Sequence, residues 1–232
     1  MTTEPAVSFG PASSLVIPVE PTPVGYRMAK RSLDLAASLV GLLLLSPILV
    51  AVAAAVKIES RGPVLFRQER LGRGARRFTL YKFRTMHSRA GQDPHRDHVR
   101  DLIRRDPPSS RSEEEAWVPI PADPRVTGLG AFLRRWHLDE LPQLVNVVRG
   151  EMSLVGPRPP IPYEVEVYKP WHLRRLAVMP GLTGLWQATG WGRLSFDDGV
   201  ALDLAYIDQR TFWFDLRLIA RTLWQILTGR QF

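Results

Sequence analysis

The sequence predicts an α+β fold, predominantly helical, with an N-terminal re-entrant membrane helix, a short β-hairpin and interfacial amphipathic helices. Three observations predict it. A long apolar run from Leu33 to Val56 is interrupted by Ser46-Pro47 and flanked on both sides by basic residues. Two alternating segments follow, VLFRQER and RRFTLYKFRTM, separated by the glycine-bearing LGRGA. Near the C-terminus, FWFDLRLIARTLWQIL sets a broad apolar face against Arg217 and Arg221, which stand one helical turn apart.

The apolar run would make on the order of 36 Å of helix, against a hydrocarbon core of ~30 Å. Proline inside a helix removes a backbone bond and bends the axis. The Ser46 hydroxyl can satisfy a carbonyl freed by that break. Arg27, Lys30 and Arg31 precede the run, and Lys57, Arg61, Arg67 and Arg70 follow it. Lys and Arg mark the cytoplasmic side of a membrane segment, so both ends are expected there. A helix that enters, bends at Ser46-Pro47 and returns meets that condition; a kinked span is the alternative.

The alternating segments, Val64 to Met86, read as a hairpin with a glycine turn. The C-terminal segment suits a helix lying in the membrane interface, or a core helix with two solvated arginines. Residues 1–26 lack helical periodicity and read as a flexible tail. They do not form a signal peptide, because the apolar stretch starts late and the first residues carry no basic charge. The stretch His87 to Ala122 is polar, with a Pro-Pro-Ser-Ser patch and the acidic Glu113–Glu115. It reads as a solvated surface insertion holding a short helix from His95 to Arg105.

The chain has 232 residues, of which 45% are apolar. That is enough for one domain plus an anchor and excludes disorder throughout. The absence of cysteine excludes disulfides and thiolate metal sites. A formal net charge of +8 favours polyanions: nucleic acid, an anionic membrane surface or a phosphorylated substrate. No nucleic acid is expected, because the arginines sit in Gly-Pro loops beside carboxylates, without interleaved aromatic stacking platforms.

Chemistry concentrates after Asp123. Pro142 follows Asp139-Glu140 closely, and proline is tolerated in a helix's first turn, so the pair is expected at a helix N-terminus, where anions are favoured. There the carboxylates stay ionised. One can attack phosphorus as a nucleophile; the other can hold Mg2+, which takes oxygen ligands and neutralises a diphosphate. The plainer use of such a pair is an N-cap and a first-turn charge. Arg134, Arg135, Arg149 and Arg158 bracket it. Arg158 stands between two prolines, which aim its guanidinium, a group suited to two phosphate oxygens at once. Arg135 and Arg149 fit solvated or headgroup contacts better. Lys82 would serve as a point charge if its strand faces the site. His137 reads as structural rather than as a base, and no zinc spacing or Walker loop is present.

These residues carry a resemblance. KRSLDL, the Ser46-Pro47 break, GPVLFRQERLG, FTLYKFRTM, DPRVTGLGAFLRR, LDELPQLVNVVRGEMSLVGPRPP, PGLTGLWQATG, LDLAYI and FWFDLRLI occur in this order from about Lys30 to Leu227. In them the chain resembles the bacterial sugar transferases, the monotopic phosphoglycosyl transferases, in their short form. The resemblance implies interfacial helices around a cytosolic active site on the inner face of the bacterial plasma membrane. It implies Asp139 as nucleophile, assisted by Glu140, with Asp139 and Glu140 as Mg2+ ligands. Its substrates would be a UDP-sugar and polyprenyl phosphate. The products would be polyprenyl diphosphate-sugar and UMP, with a phosphosugar carried on Asp139 between the two steps. Lys82, Arg134, Arg158 and Asp203 match positions expected at the active site. After PGLTGLWQ the family usually reads Val-x-Gly-Arg. Here Trp191 stands at the arginine position, and Arg193 is the candidate to reach the same place; otherwise the role is lost.

The resulting division is 1–26 as tail, 27–60 as membrane-embedded helix-break-helix, and 61–232 as catalytic domain with 87–122 as a polar insertion. A homodimer is left open. So are two other readings of the residues alone, a membrane-anchored metal-dependent phosphate hydrolase and a non-catalytic membrane-surface scaffold.

Overall fold

Ser46-Pro47 bends the chain in the computed structural model, which describes residues 17–87, 93–104, 123–189 and 194–229. Helices α1 (Val24–Leu44) and α2 (Ser46–Glu59) meet at Leu45 with a bend of 62°. Ser46 Oγ donates to Leu43 O at 2.8 Å, which satisfies a carbonyl that the break frees. Pro47 stands in the first turn of α2, where its missing N–H costs no helix bond. Among the described residues no single helix is long and apolar enough to cross a membrane, whereas this bent pair passes on length and composition. Its elbow is bare: Leu39, Val40, Leu43, Leu44, Ile48 and Val50 are all exposed. Such contiguous apolar surface marks a contact face.

The outer ends of the pair are locked into the protein instead. On α1, Lys30 pairs with the buried Asp215 at 2.8 Å, and Asp34 accepts the Leu154 N–H at 3.0 Å. Arg31 donates to Val147 O and Val148 O at 2.6 and 2.8 Å. On α2, Val52 and Val56 pack with Phe83 and Leu133. Buried polar partners of this kind fix axial register, because a one-turn slip would strand each of them.

Strands β1 (Leu65–Leu71) and β2 (Arg77–Phe83) pair antiparallel, from Leu65 opposite Phe83 to Leu71 opposite Arg77. The chain reverses through Gly74 at φ 66°, a left-handed conformation that glycine adopts without a steric penalty. Helix α3 (Asp93–Arg104) lies in the stretch expected to be a solvated insertion, and it corrects that expectation. Val99 and Ile103, one turn apart, are buried in the main core with Leu71, Val165, Tyr168, Trp186 and Phe196. Residues 88–92 and 105–122 lie outside the described residues.

Helices α4 (Gly128–Arg135) and α5 (Gln143–Arg149) lead to strand β3 (Ser153–Val155) and the short helix α6 (Pro162–Val165). Strand β4 (Gly181–Thr183) pairs parallel with β3, Ser153 opposite Gly181 and Val155 opposite Thr183. Helices α7 (Leu185–Thr189), α8 (Phe196–Gln209) and α9 (Phe212–Thr228) complete the chain. One face of α9 packs Leu218, Phe214 and Ile219 against Tyr206 and Val155. The other leaves Trp213, Leu223, Trp224 and Leu227 exposed beside Arg217 and Arg221. The tail is shorter than expected: residues 17–23 form an extended strap. Glu20 N donates to Ala177 O at 3.1 Å, its carboxylate pairs with Arg174 at 2.9 Å, and α1 starts at Val24. Residues 1–16 lie outside the described residues.

Candidate active site

Asp139 and Glu140 sit in a single 3-10 turn, Leu138–Glu140. This corrects their expected place in the first turn of α5. Leu141 N closes on Leu138 O, Pro142 offers no N–H, and α5 begins only at Gln143 with Pro142 as its cap. The turn is entered through His137 at φ 52°, ψ 20°, a left-handed conformation uncommon for a residue with a side chain. Non-glycine outliers of this sort cost about 1–3 kcal/mol and cluster where geometry serves function.

The two carboxylates have different surroundings. Glu140 forms an ion pair with Lys82 of β2, both partly exposed. Asp139 is buried, and among the described residues no hydrogen bond reaches its carboxylate. Burial raises the Asp139 carboxyl above its usual range and the Glu140 charge adds to this, against the pull of Lys82 and Arg134. Burial works on Glu140 in the same direction, but Lys82, His137 and Arg158 outweigh it and hold that carboxyl below its usual range. The pair is thus split into one more basic, unbonded carboxylate and one firmly ionised.

The hairpin, the end of α4 and one loop supply the cations. Lys82 lies opposite Phe66 in the β1–β2 register. Arg134, near the end of α4, donates from Nε to Thr85 Oγ1 at 3.0 Å and acts electrostatically on Asp139. Arg158 stands in the loop between β3 and α6, and its charge reaches both Glu140 and Asp203. The structure therefore brings Lys82, Arg134 and Arg158 around the pair. Asp203 takes a different place. It is buried on α8 and accepts from Arg175 Nη2 at 2.5 Å, and burial, opposed by Arg175, raises it to about 6. Its bonded partner is Arg175, and Arg158 acts on it electrostatically. Arg193 and Trp191 lie outside the described residues.

Arg70 and Arg175 carry no site signal in the sequence. Arg70 reads as one of the basic flanks of the apolar run, yet both are almost fully buried against the Arg158 loop. A cavity of about 310 Å³ lined by Arg67, Gln68, Arg96, Tyr163 and Glu166 adjoins the hairpin, and its lining does not include Asp139 or Glu140. Among the described residues no group of three or more His, Cys, Asp or Glu could enclose a metal. Two adjacent carboxylates, one of them partly exposed, do suit Mg2+, which binds one or two carboxylates together with substrate phosphates and water.

The sequence model of the family described as bacterial sugar transferase matches residues 25–229. The exopolysaccharide production protein ExoY of Rhizobium meliloti (strain 1021) is 40% identical over 208 residues, 90% of this chain and 89% of that protein. The undecaprenyl-phosphate galactose phosphotransferase of Salmonella typhimurium is 36% identical over 196 residues, 84% of this chain and 40% of that protein. The UDP-glucose:undecaprenyl-phosphate glucose-1-phosphate transferase of Escherichia coli K12 is 36% identical over 220 residues, 90% of this chain and 43% of that protein. The chain thus spans most of the first relative and about two fifths of the other two. With nearly all of its described residues inside that match, the chain belongs to the bacterial sugar transferase family.

Proposed function

We propose that the protein transfers a sugar 1-phosphate from a UDP-sugar to polyprenyl phosphate, giving polyprenyl diphosphate-sugar and UMP. The observation that carries this reading is the split carboxylate pair, with Asp139 unbonded and Glu140 held by Lys82. An Asp139 oxygen attacks the phosphorus next to the sugar. The bond from that phosphorus to the UMP oxygen breaks, and UMP leaves. An oxygen of polyprenyl phosphate then attacks the same phosphorus and releases Asp139. Arg134, Lys82 and Arg158 offset the charge of the diphosphate, which two carboxylates would otherwise repel. Glu140, with Asp139, would hold Mg2+, which supplies further neutralisation of the phosphate oxygens.

A lipid acceptor and a soluble donor meet only where membrane and cytosol meet. The bare elbow of α1 and α2 supports insertion of that hairpin into one leaflet, and the Trp213/Arg217/Trp224 face of α9 supports contact with the interface. The basic flanks of the elbow support a cytoplasmic position for both of its ends, where a positive chain also meets an anionic leaflet. Relatives named for galactose are 36–38% identical to this chain and those named for glucose 36–40%, so overall likeness does not select the sugar.

UMP release from a panel of UDP-sugars, by the full chain in nanodiscs, tests the reading. Release that requires polyprenyl phosphate and forms a lipid-linked phosphosugar is expected. Release of sugar phosphate to water, independent of the lipid, would instead establish a hydrolase.

A further inference from the structure

The loop that carries Arg158 is held in an unusual way. Three of its four residues from 157 to 160 are proline, so their nitrogens cannot donate. Its carbonyls are all taken. Pro157 O accepts from Gly181 N at 2.9 Å, and Pro160 O accepts from Leu71 N at 3.0 Å. Between them, Arg158 O accepts from Arg175 Nη2 at 3.4 Å, and Pro159 O accepts from Arg70 Nη1 at 2.8 Å. Four consecutive carbonyls are thus tied to three segments, at Gly181, at Arg175 and at Arg70-Leu71 of β1, two of the four by arginine side chains.

Both arginines are nearly closed to solvent, at 4% exposure for Arg70 and 3% for Arg175. Their remaining bonds fix the guanidinium planes. Arg175 also donates to Asp203 and to the Tyr168 hydroxyl. Arg70 donates from Nε and Nη2 to one neutral acceptor, Gln68 Oε1, at 3.1 and 2.7 Å, and among the described residues no carboxylate bonds it. Burial, with the nearby Arg158, pushes Arg70 down to about 10, so it keeps its charge at neutral pH. A buried cation without a bonded counter-ion is costly. It is placed here on the Pro159 carbonyl, next in the chain to the arginine whose charge acts on Glu140.

We infer that Arg70 and Arg175 are positioning residues for the donor diphosphate: they clamp the backbone beneath Arg158, aim its guanidinium, and set a second layer of positive charge behind it. This rests on the proposed reaction. Neither side chain touches the substrate; each acts through Arg158.

Acting through Arg158 is a measurable property. In a double-mutant cycle, a residue that works through another loses its effect once that other is removed. UDP binding is measured by calorimetry on the full chain in nanodiscs, for Arg70→Gln in the native and in the Arg158→Ala background. Loss of about tenfold is expected where Arg158 is present, and less than about twofold where it is absent. Arg70→Lys keeps the charge and one bond to Pro159 O but loses the fork on Gln68. It is expected to lose about threefold, again only where Arg158 is present, and it carries the comparison if Arg70→Gln does not fold. UDP that fails to bind the wild-type chain overturns the proposed reaction and this inference together. UDP that binds, with losses equal in both backgrounds or below twofold for Arg70→Gln, overturns this inference alone.

Discussion

Replacing Lys82 with methionine tests how the carboxylate pair is governed. Lys82 is the cation bonded to Glu140, and its charge opposes the rise of Asp139. The side chains are 23% and 31% exposed, so an effective dielectric near 20 is appropriate, for which a unit pair at about 4 Å interacts by about 4 kcal/mol. Water can enter this partly open site and solvate the orphaned Glu140, which leaves a net loss of about 2–3 kcal/mol, near the usual value of a charge-assisted hydrogen bond. The same charge is missing when the diphosphate arrives. The expected fall in kcat/KM for the UDP-sugar is therefore about 30- to 150-fold, read as UMP release at saturating acceptor. The pH profile carries a second signature. Lys82 holds Glu140 low, so its removal lets the Glu140 carboxyl rise, and the acid limb of kcat/KM moves to higher pH. Activity within threefold of wild type, or an acid limb that stays in place, would refute the assignment of Lys82 as the controlling cation.

His137→Gly relieves the left-handed backbone before Asp139 and should raise stability by up to about 1 kcal/mol in thermal melting, while the β-branched His137→Val should lower it. Gly181→Ala should destabilise by about 3 kcal/mol or more, because a Cβ there would stand 2.0 Å from Gly156 N, and a backbone atom cannot step aside as a side chain can. His172 is buried, and burial, with help from Lys169 and Arg175, pushes it down to about 4 against the pull of Asp197. The unfolded chain then takes up a proton that the folded chain refuses, so this stability is present above pH 6.5 and is lost as pH falls toward 4. At about 1.4 kcal/mol per pH unit, denaturant midpoints should drop steeply across that window, and His172→Asn should flatten the drop.

Local features of the sequence were legible because their cause is local. Ser46-Pro47 bends the chain through one missing N–H and one hydroxyl bond, and both are written in the two residues. Gly74 reverses the hairpin through its own φ. Asp139 and Glu140 are neighbours in the chain, so no folding is needed to bring them together, although the 3-10 turn that holds them is set by Pro142 and His137 jointly. Features made by tertiary contact were not legible. Val99 and Ile103 are two apolar residues in a polar helix, and nothing near them shows that Leu71 and Phe196 will cover them. Arg70 stands near the end of a strand among other charged residues, and its bond to the Pro159 carbonyl is made far along the chain. Asp203 shows the same limit from the other side: its match to a family motif marks the residue, but its bond to the distant Arg175 is not written near it. The strap at residues 17–23 is extended and proline-rich like any tail, and its docking depends on Ala177 and Arg174.

Covalent trapping bears most directly on the central claim that Asp139 attacks the sugar-bearing phosphorus. The full chain in nanodiscs is incubated with UDP-sugar labelled in its β-phosphate, without polyprenyl phosphate, then digested and sequenced by mass spectrometry. The account predicts label on the peptide containing Asp139, its discharge when polyprenyl phosphate is added, and its absence from Asp139→Asn. Full turnover in the presence of acceptor with no label at Asp139, or turnover retained by Asp139→Asn, would contradict it.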